Sequence, residues 1–182
     1  MDARRVSKKK NIVLIGFMAS GKSTVGLELA RATGRSLVDT DEMIESRASA
    51  TIGDIIAERG ESSFRELERE AVADAASREE VVIAAGGGAV LDNTNVLKLR
   101  ESGIVYFLEV EASEVTKRAD PAQDRPLLPD SPEGIRQLMS KRRVHYREAS
   151  DAAIATTGKQ PHEIAGEILT DFNARAGEDF GD

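Results

Sequence analysis

The sequence contains no cysteine, and this absence removes two kinds of site before any motif is considered. Neither a disulfide framework nor a thiolate metal site is possible, so a reducing compartment, the cytoplasm, is the expected location. Long apolar runs are also missing. The longest, NIVLIGFM, is interrupted by glycine and is far shorter than the roughly 20 residues of a membrane-spanning helix. We therefore expect no membrane partner.

Positive charge is scarce relative to negative charge, and the formal net charge is −7. This balance makes nucleic acid a poor candidate partner. A chain of 182 residues with 40% hydrophobic and 31% charged side chains is typical of one soluble domain. We expect a flexible basic tail at residues 1–10, a single domain at 11–170, an acidic tail at 171–182, and a monomer.

Five short β-rich runs alternate with amphipathic helical patterns. The runs are mostly apolar throughout, which predicts a parallel sheet with helices on both faces, a three-layer α/β/α fold. One helix, over residues 22–33, is expected to end at Gly34, and another is expected to begin at a capping box formed by Ser63 and Glu66. Ligands of such sheets bind at the carboxyl ends of the strands. The predicted strands are residues 11–17, 36–41, 81–87, 104–110 and 152–157.

The first predicted strand ends in GFMASGKST, which fits the pattern GxxxxGK[ST] between a strand and a helix. Glycines accept backbone angles closed to other residues, so N–H groups of such a loop can point at phosphate oxygens beside a helix N-terminus. Lys22 is expected to contact the β- and γ-phosphates, and the Ser23 hydroxyl to bind Mg²⁺. The loop does not distinguish kinases, GTPases and motor ATPases. The loop residues predicted to bind ATP are Gly16, Met18, Ala19, Ser20, Gly21, Lys22, Ser23 and Thr24.

Carboxylates and glycines follow the next two predicted strands. Asp39 and Asp41 would face the same way in an extended chain, so one can hold Mg²⁺ through water while the other accepts a proton from a hydroxyl. A solvated turn with one helix-capping aspartate is the alternative. The glycines Gly86, Gly87 and Gly88 weaken a strand end unless a ligand approaches the backbone closely, which favours ligand contact over a plain turn.

Arg65 and Glu68 are three residues apart on a predicted helix. At this spacing the carboxylate can orient the guanidinium, whose fork suits the carboxylate of a substrate. A surface ion pair of little energetic value is the alternative. Residues 119–132 hold four of the five prolines and cannot form a continuous helix or a central strand.

The ordered set GFMASGKSTVG, DTD, GESSFRELE, GGGAV, RPLL and YREASDAAIATT resembles the shikimate kinase family of nucleoside-monophosphate-kinase-like phosphate-loop proteins, from about Asn11 to Ile168. The resemblance implies a five-stranded parallel sheet with a mobile lid at about 119–132, and transfer of the ATP γ-phosphate to the 3-hydroxyl of shikimate in aromatic amino-acid biosynthesis. A gluconate-type kinase of the same fold and a catalytically silent nucleotide-binding module are the alternatives. The first would not need paired arginines and a glycine triplet, and the second would be expected to have lost Lys22, Asp41 or Arg125.

The resemblance also implies roles for the polar residues around the phosphates. Lys22 matches the phosphate-binding lysine, Ser23 the magnesium ligand, and Asp39 a water-mediated partner of the same magnesium ion. Asp41 matches the aspartate that hydrogen-bonds the acceptor hydroxyls and acts as the base. Arg125 matches the lid arginine that closes over the transferring phosphate.

The acceptor and the adenine have matching residues as well. Arg65, held by Glu68, matches an arginine that binds the shikimate carboxylate, and Arg142 matches a second one, with the adjacent Arg143 as the alternative. The glycine triplet matches the glycines that line the shikimate pocket. Arg118 matches the arginine that stacks on adenine.

The chain departs from the family pattern at two places. Ala19 stands where glycine is usual, a change that matters little if its backbone angles are ordinary. Val144 and His145 stand where Pro-Leu is frequent, and we expect His145 to have a packing or surface role.

Overall fold

The structure is a computed structural model that describes residues 11–118, 127–129 and 131–178. Its strands form one parallel sheet of five strands in the order β2-β3-β1-β4-β5. The phosphate-loop sequence follows the central strand β1, where neighbours diverge to either side, which is where ligands of open α/β sheets bind. The strands are β1 Asn11–Ile15, β2 Ser36–Asp39, β3 Val81–Ala84, β4 Gly103–Glu109 and β5 Ala152–Ala155.

Helices cover both faces of this sheet, so the predicted three-layer arrangement is confirmed. Helices α1 and α7 pack on one face, while α3, α4 and α6 pack on the other. Helix α1 ends at Gly34 as predicted, with a left-handed φ of 71° at this glycine. The helices are α1 Lys22–Thr33, α2 Thr40–Ala48, α3 Ile52–Ser77, α4 Asn93–Ser102, α5 Ala112–Arg118, α6 Pro132–Ala149 and α7 Pro161–Glu178, and a 3-10 turn spans Ala89–Leu91.

The central strand is buried on both faces, which explains why its residues are apolar without alternation. Val13 and Ile15 pack in a core with Val72 of α3, whereas Ile12 and Leu14 belong to a second core with α1 and α7. Successive side chains of a strand point to opposite faces, so a strand between two helical layers needs apolar residues at every position. This sandwiching fixes the position of the loop that follows β1.

The start of α3 differs from the prediction. The helix begins at Ile52, where the Thr51 side chain caps it by accepting a hydrogen bond from the Asp54 N–H at 3.1 Å. Ser63 is inside the helix and donates its hydroxyl to the Arg59 carbonyl at 2.9 Å. The capping box at Ser63 is therefore wrong. Gly60 has non-helical angles, φ 82° and ψ 161°, which divide α3 into two helical segments, and Ser63 lies inside the second segment.

Helix α7 passes residue 170, where the sequence suggested that the domain gives way to an acidic tail. Phe172 is buried in the core between α7 and the sheet. Asp171 accepts a hydrogen bond from the hydroxyl of Tyr106 at 2.8 Å and pairs with Arg175 at 2.6 Å. These contacts hold the helix against β4. No helix in the described ranges is long and apolar enough to cross a membrane.

Candidate active site

One cavity of about 510 Å³ opens at the carboxyl ends of the central strands. The phosphate loop, the start of α2, the middle of α3, the glycine triplet and α6 all contribute to its wall. The fold therefore brings together residues as far apart in the sequence as Met18 and Arg142. The residues singled out from the sequence that line it are Met18, Ala19, Gly21, Lys22, Ser23, Thr24, Asp39, Asp41, Arg65, Glu68, Gly87, Gly88 and Arg142.

The remaining sequence-predicted residues lie beside this cavity or outside the described part. Ser20 is buried in the turn of the loop, and Gly86 packs against the Asp41 carboxylate. Arg118, at the end of α5, donates a hydrogen bond to the Ala19 carbonyl at 3.4 Å, which places it at the outer edge of the loop. Arg125 and most of the expected lid fall in the range that is not described.

The lysine of the phosphate loop hydrogen-bonds to backbone carbonyls of the same loop. The Lys22 ammonium donates hydrogen bonds to the carbonyls of Gly16 at 2.9 Å and Phe17 at 3.0 Å. Gly21 adopts a left-handed φ of 95° immediately before α1, so the first N–H groups of the helix lie at the cavity wall. The loop thus offers backbone donors, a helix N-terminus and an ammonium group to a single anion.

Ala19 does not have ordinary backbone angles, so the condition under which its substitution for glycine would matter little is not met. Its φ is +61°, in the left-handed region that a residue with a Cβ adopts only at a cost. This explains why glycine is usual at the position. The loop conformation itself is retained, with strain at one alanine.

Replacing Ala19 with glycine is expected to raise the free energy of unfolding by about 0.5–1 kcal/mol, because glycine removes the left-handed strain at a smaller entropic cost. Urea denaturation of the free protein measures the change. Ala32→Gly in the ordinary helical backbone of α1 is the matched control, and it is expected to lower stability by about 0.5–1 kcal/mol. Equal losses in both variants would contradict strain at Ala19.

The Asp39 carboxylate caps α2 and also contacts the phosphate loop. Its Oδ1 accepts hydrogen bonds from the backbone N–H groups of Asp41 at 3.0 Å and Glu42 at 3.4 Å, and so caps α2. Its Oδ2 accepts a hydrogen bond from the Ser23 hydroxyl at 2.6 Å. The chain is not extended as far as Asp41, because the capped helix begins at Thr40. Both carboxylates nevertheless face the phosphate loop, from a helix turn and not from a strand.

The environment of Asp41 disfavours its charge. Burial raises its pKa to about 6, and although Lys22 opposes this rise, the negative charges of Asp39 and Glu68 add to it. A Cβ on Gly86 would lie 2.5 Å from the Asp41 Oδ1, so a larger residue at this position would displace the carboxylate. A carboxylate with a pKa of about 6 is ionised at neutral pH and is a stronger base than ordinary aspartate.

Arg65 is held by two carboxylates of very different exposure. Its Nη1 donates to the Glu68 Oε2 and its Nη2 to the Glu61 Oε1, both at 2.9 Å. The side chain of Glu68 is only 2% exposed, whereas that of Glu61 is 55% exposed. Burial raises the pKa of Glu68, and the positive charges of Arg65 and Arg142 oppose this rise. The Arg65–Glu68 contact is therefore a buried orienting pair, and the alternative of a solvated surface pair does not describe it.

The structure separates the two candidate arginines of α6. Arg142 is 8% exposed, lines the cavity and lies with its guanidinium 5.8 Å from the ring centre of Phe17. Arg143 is 56% exposed and pairs with Glu109 at 2.5 Å. Arg142 and Arg65 thus line one cavity, whereas Arg143 does not line it. His145 is exposed on the helix surface.

Several residues that shape the cavity are not evident from the sequence. The Thr40 hydroxyl accepts a hydrogen bond from the Gly86 N–H at 2.9 Å, and the Tyr146 hydroxyl donates one to the Gly87 carbonyl at 2.6 Å. The position of Thr40 inside the DTD motif is a sequence signal for its role. The role of Tyr146 becomes visible only when α6 is seen to pack on the glycine triplet. The unpredicted lining residues are Glu45, Ile52, Phe64, Ala85 and Leu127.

The phosphate loop shares its cavity with two arginines and with a carboxylate of raised pKa. This combination is typical of a phosphate-loop kinase for a small anionic acceptor. The sequence model of the family described as shikimate kinase matches residues 18–173. The shikimate kinase of Moorella thermoacetica is 48% identical over 159 residues, which cover 87% of this chain and 91% of that protein. This chain belongs to the shikimate kinase family.

Solved structures agree with the sequence comparison. Shikimate kinase from Acinetobacter baumannii in complex with shikimate has a TM-score of 0.88 at 34% identity, covering 91% of this chain and 94% of that chain. A gluconokinase from Sinorhizobium meliloti 1021 has a TM-score of 0.57 at 20% identity over 94% of this chain and 96% of that chain, and this shows a shared fold alone.

Proposed function

We propose that the protein transfers the γ-phosphoryl group of ATP to the 3-hydroxyl of shikimate, giving shikimate 3-phosphate and ADP for aromatic amino-acid biosynthesis. The observation that carries the proposal is that Asp41, Arg65 and Arg142 line the same cavity as Lys22 and Ser23. An acceptor whose carboxylate lies between the arginines can reach both a base and the phosphate loop.

The nucleotide is proposed to occupy the loop side of the cavity. Lys22 exchanges its hydrogen bonds to the Gly16 and Phe17 carbonyls for the β- and γ-phosphate oxygens, so the same ammonium closes the free loop and neutralises the bound phosphates. Arg118, whose guanidinium donates a hydrogen bond to the Ala19 carbonyl, is proposed to stack on the adenine. Arg125 is proposed to approach the transferring phosphoryl group from the segment outside the described ranges.

The Ser23 hydroxyl and the Asp39 carboxylate fit Mg²⁺. Their oxygens lie 2.6 Å apart at the cavity wall, and hard oxygen ligands in small number are what Mg²⁺ accepts from proteins. Mg²⁺, when bound, neutralises charge on the β- and γ-phosphate oxygens. Ser23 would hold it directly, and Asp39 through water.

The acceptor side of the cavity supplies orientation and a base. Arg65 and Arg142 hold the carboxylate of shikimate, which fixes the direction in which its ring presents the 3-hydroxyl. Asp41, ionised at neutral pH, takes the proton of this hydroxyl as its oxygen forms a bond to the γ-phosphorus. The bond between the γ-phosphorus and the bridging oxygen breaks at the same time, and ADP leaves.

ADP release coupled to a reporter reaction tests the acceptor. Shikimate, quinate, gluconate and AMP are offered at equal concentrations with ATP and Mg²⁺, and shikimate is expected to give the highest kcat/KM. Activity with gluconate or AMP alone would assign a different acceptor, and no activity with any of them would favour a silent nucleotide-binding module. A monomeric state and a cytoplasmic location accompany this proposal as predictions.

The two carboxylates that hold Arg65 are expected to differ in effect. Glu68→Ala is expected to raise the KM for shikimate about tenfold, because Arg65 loses its buried partner and with it a fixed direction. Glu61→Ala removes an exposed contact to the same arginine and is expected to change KM by less than about twofold. Steady-state kinetics with saturating ATP measures both. Equal effects would show that burial of the pair has no part in acceptor binding.

A further inference from the structure

The side chain of Tyr146 reaches from α6 to the back of the glycine triplet. It is 2% exposed, and its hydroxyl donates a 2.6 Å hydrogen bond to the Gly87 carbonyl. Its ring stacks on Phe107 of β4, with ring centres 5.1 Å apart and planes at 17°. The aromatic ring is therefore fixed to the sheet, and the hydroxyl is fixed in turn.

Gly87 has backbone in close contact on its other side. A Cβ on this residue would lie 3.3 Å from the Met18 backbone nitrogen and 3.7 Å from the Gly16 carbonyl oxygen, so it packs directly against the phosphate loop. Gly87 is thus held between the phosphate loop and Tyr146. It lines the active cavity, whereas Tyr146 lines a separate cavity between α6 and the ends of β4 and β5.

The direction of the Gly87 carbonyl has a consequence for the next amide. A planar trans peptide unit points its C=O and its N–H in opposite directions, so the bond from Tyr146 also sets the direction of the Gly88 N–H. Gly88 lines the active cavity and packs against the Arg65 guanidinium. Because burial raises the pKa of Tyr146 to about 12, its hydroxyl remains a donor throughout the neutral range.

We propose that Tyr146 is a positioning residue for acceptor binding: its hydroxyl holds the Gly87–Gly88 peptide in the orientation that presents this backbone to shikimate. Arg142 lies one helical turn before Tyr146, so one face of α6 supplies both a carboxylate-binding guanidinium and the support for the opposite wall. Tyr146 acts through the Gly87 carbonyl and through Arg142, whose guanidinium also hydrogen-bonds the Tyr146 hydroxyl. This inference rests on the proposed function.

Tyr146→Phe tests the inference, and the other tyrosine of the chain provides a matched control. The variant is expected to raise the KM for shikimate about tenfold, with kcat and the KM for ATP changed less than about threefold, since the phosphate loop that Gly87 contacts remains fixed between β1 and α1. Tyr106→Phe removes an equally buried hydroxyl that bonds Asp171 on the opposite face. It is expected to lower thermal stability and leave the KM for shikimate unchanged.

Both variants and the parent are assayed for shikimate-dependent ADP release and for thermal unfolding. A wild-type KM for shikimate in Tyr146→Phe overturns the inference, and so does an equal rise in both variants, because a general loss of packing would then explain it. An equal rise in the KM values for ATP and shikimate also contradicts it. If the parent releases no ADP with shikimate, the proposed function fails and takes the inference with it; an active parent confines failure to Tyr146.

Discussion

Replacing Asp41 with asparagine is expected to lower kcat about 1,000-fold, because the amide cannot accept the proton of the attacking hydroxyl. The side chain keeps its size, so the KM values for shikimate and ATP are expected to change much less. Steady-state ADP release with both substrates varied separates the two effects. Retention of more than a tenth of the parent kcat would exclude Asp41 as the base.

The same substitution is expected to stabilise the folded protein. At neutral pH the Asp41 carboxylate is ionised where burial disfavours charge, so its removal should raise the free energy of unfolding by about 1–2 kcal/mol. The Asp41 pKa is raised from 3.8 to about 6, so between these pH values the parent protein takes up a proton at Asp41 when it folds. The extra stability of the asparagine variant is therefore present above the raised pKa and disappears as the pH falls towards 3.8. Denaturation of both proteins without nucleotide or metal, from neutral to acid pH, measures it, and a constant difference would contradict the raised pKa.

Arg142→Ala is expected to raise the KM for shikimate about 100-fold, because a charge-assisted contact is lost and the substrate carboxylate is left partly unpaired. Arg143→Ala is the matched control, since this neighbour is 56% exposed and pairs with Glu109 outside the cavity. It is expected to change the KM by less than about twofold.

Kinetics and isothermal titration of shikimate compare the two arginine variants. A larger effect at Arg143 would reverse the assignment on α6. A fall in kcat with an unchanged KM at Arg142 would indicate contact with the phosphoryl group and not with the carboxylate.

The parts of the fold that follow from short-range chemistry were predictable. The apolar strands required two covering layers, and the pattern from Gly16 to Ser23 required a strand before it and a helix after it. The structure has both, with α1 starting at Lys22 and β1 ending at Ile15. The polar residues at strand ends converge because carboxyl ends of parallel strands share one edge of the sheet.

The parts that depend on tertiary packing were not predictable. Ala19 has a left-handed φ because it is the third residue of a tight turn closed by the hydrogen bond from the Ser20 N–H to the Phe17 carbonyl, and an alanine does not by itself indicate this conformation. The helical segment that contains Ser63 begins just after Gly60, earlier than its polar residues suggest, because the non-helical angles of this glycine separate it from the segment before. The burial of Glu68, on which the role of Arg65 depends, is set by the neighbouring helices. The spacing of Arg65 and Glu68 along one helix predicts that they form a pair but does not predict how exposed the pair is.

The most direct measurement is a crystal structure of the protein with ADP and shikimate. We expect the ADP phosphates in the loop at Lys22, the shikimate carboxylate between Arg65 and Arg142, and its 3-hydroxyl within hydrogen-bond distance of Asp41. Shikimate bound away from these arginines, or with its 3-hydroxyl directed away from Asp41 and the phosphates, would contradict the proposed shikimate site and leave only nucleotide binding.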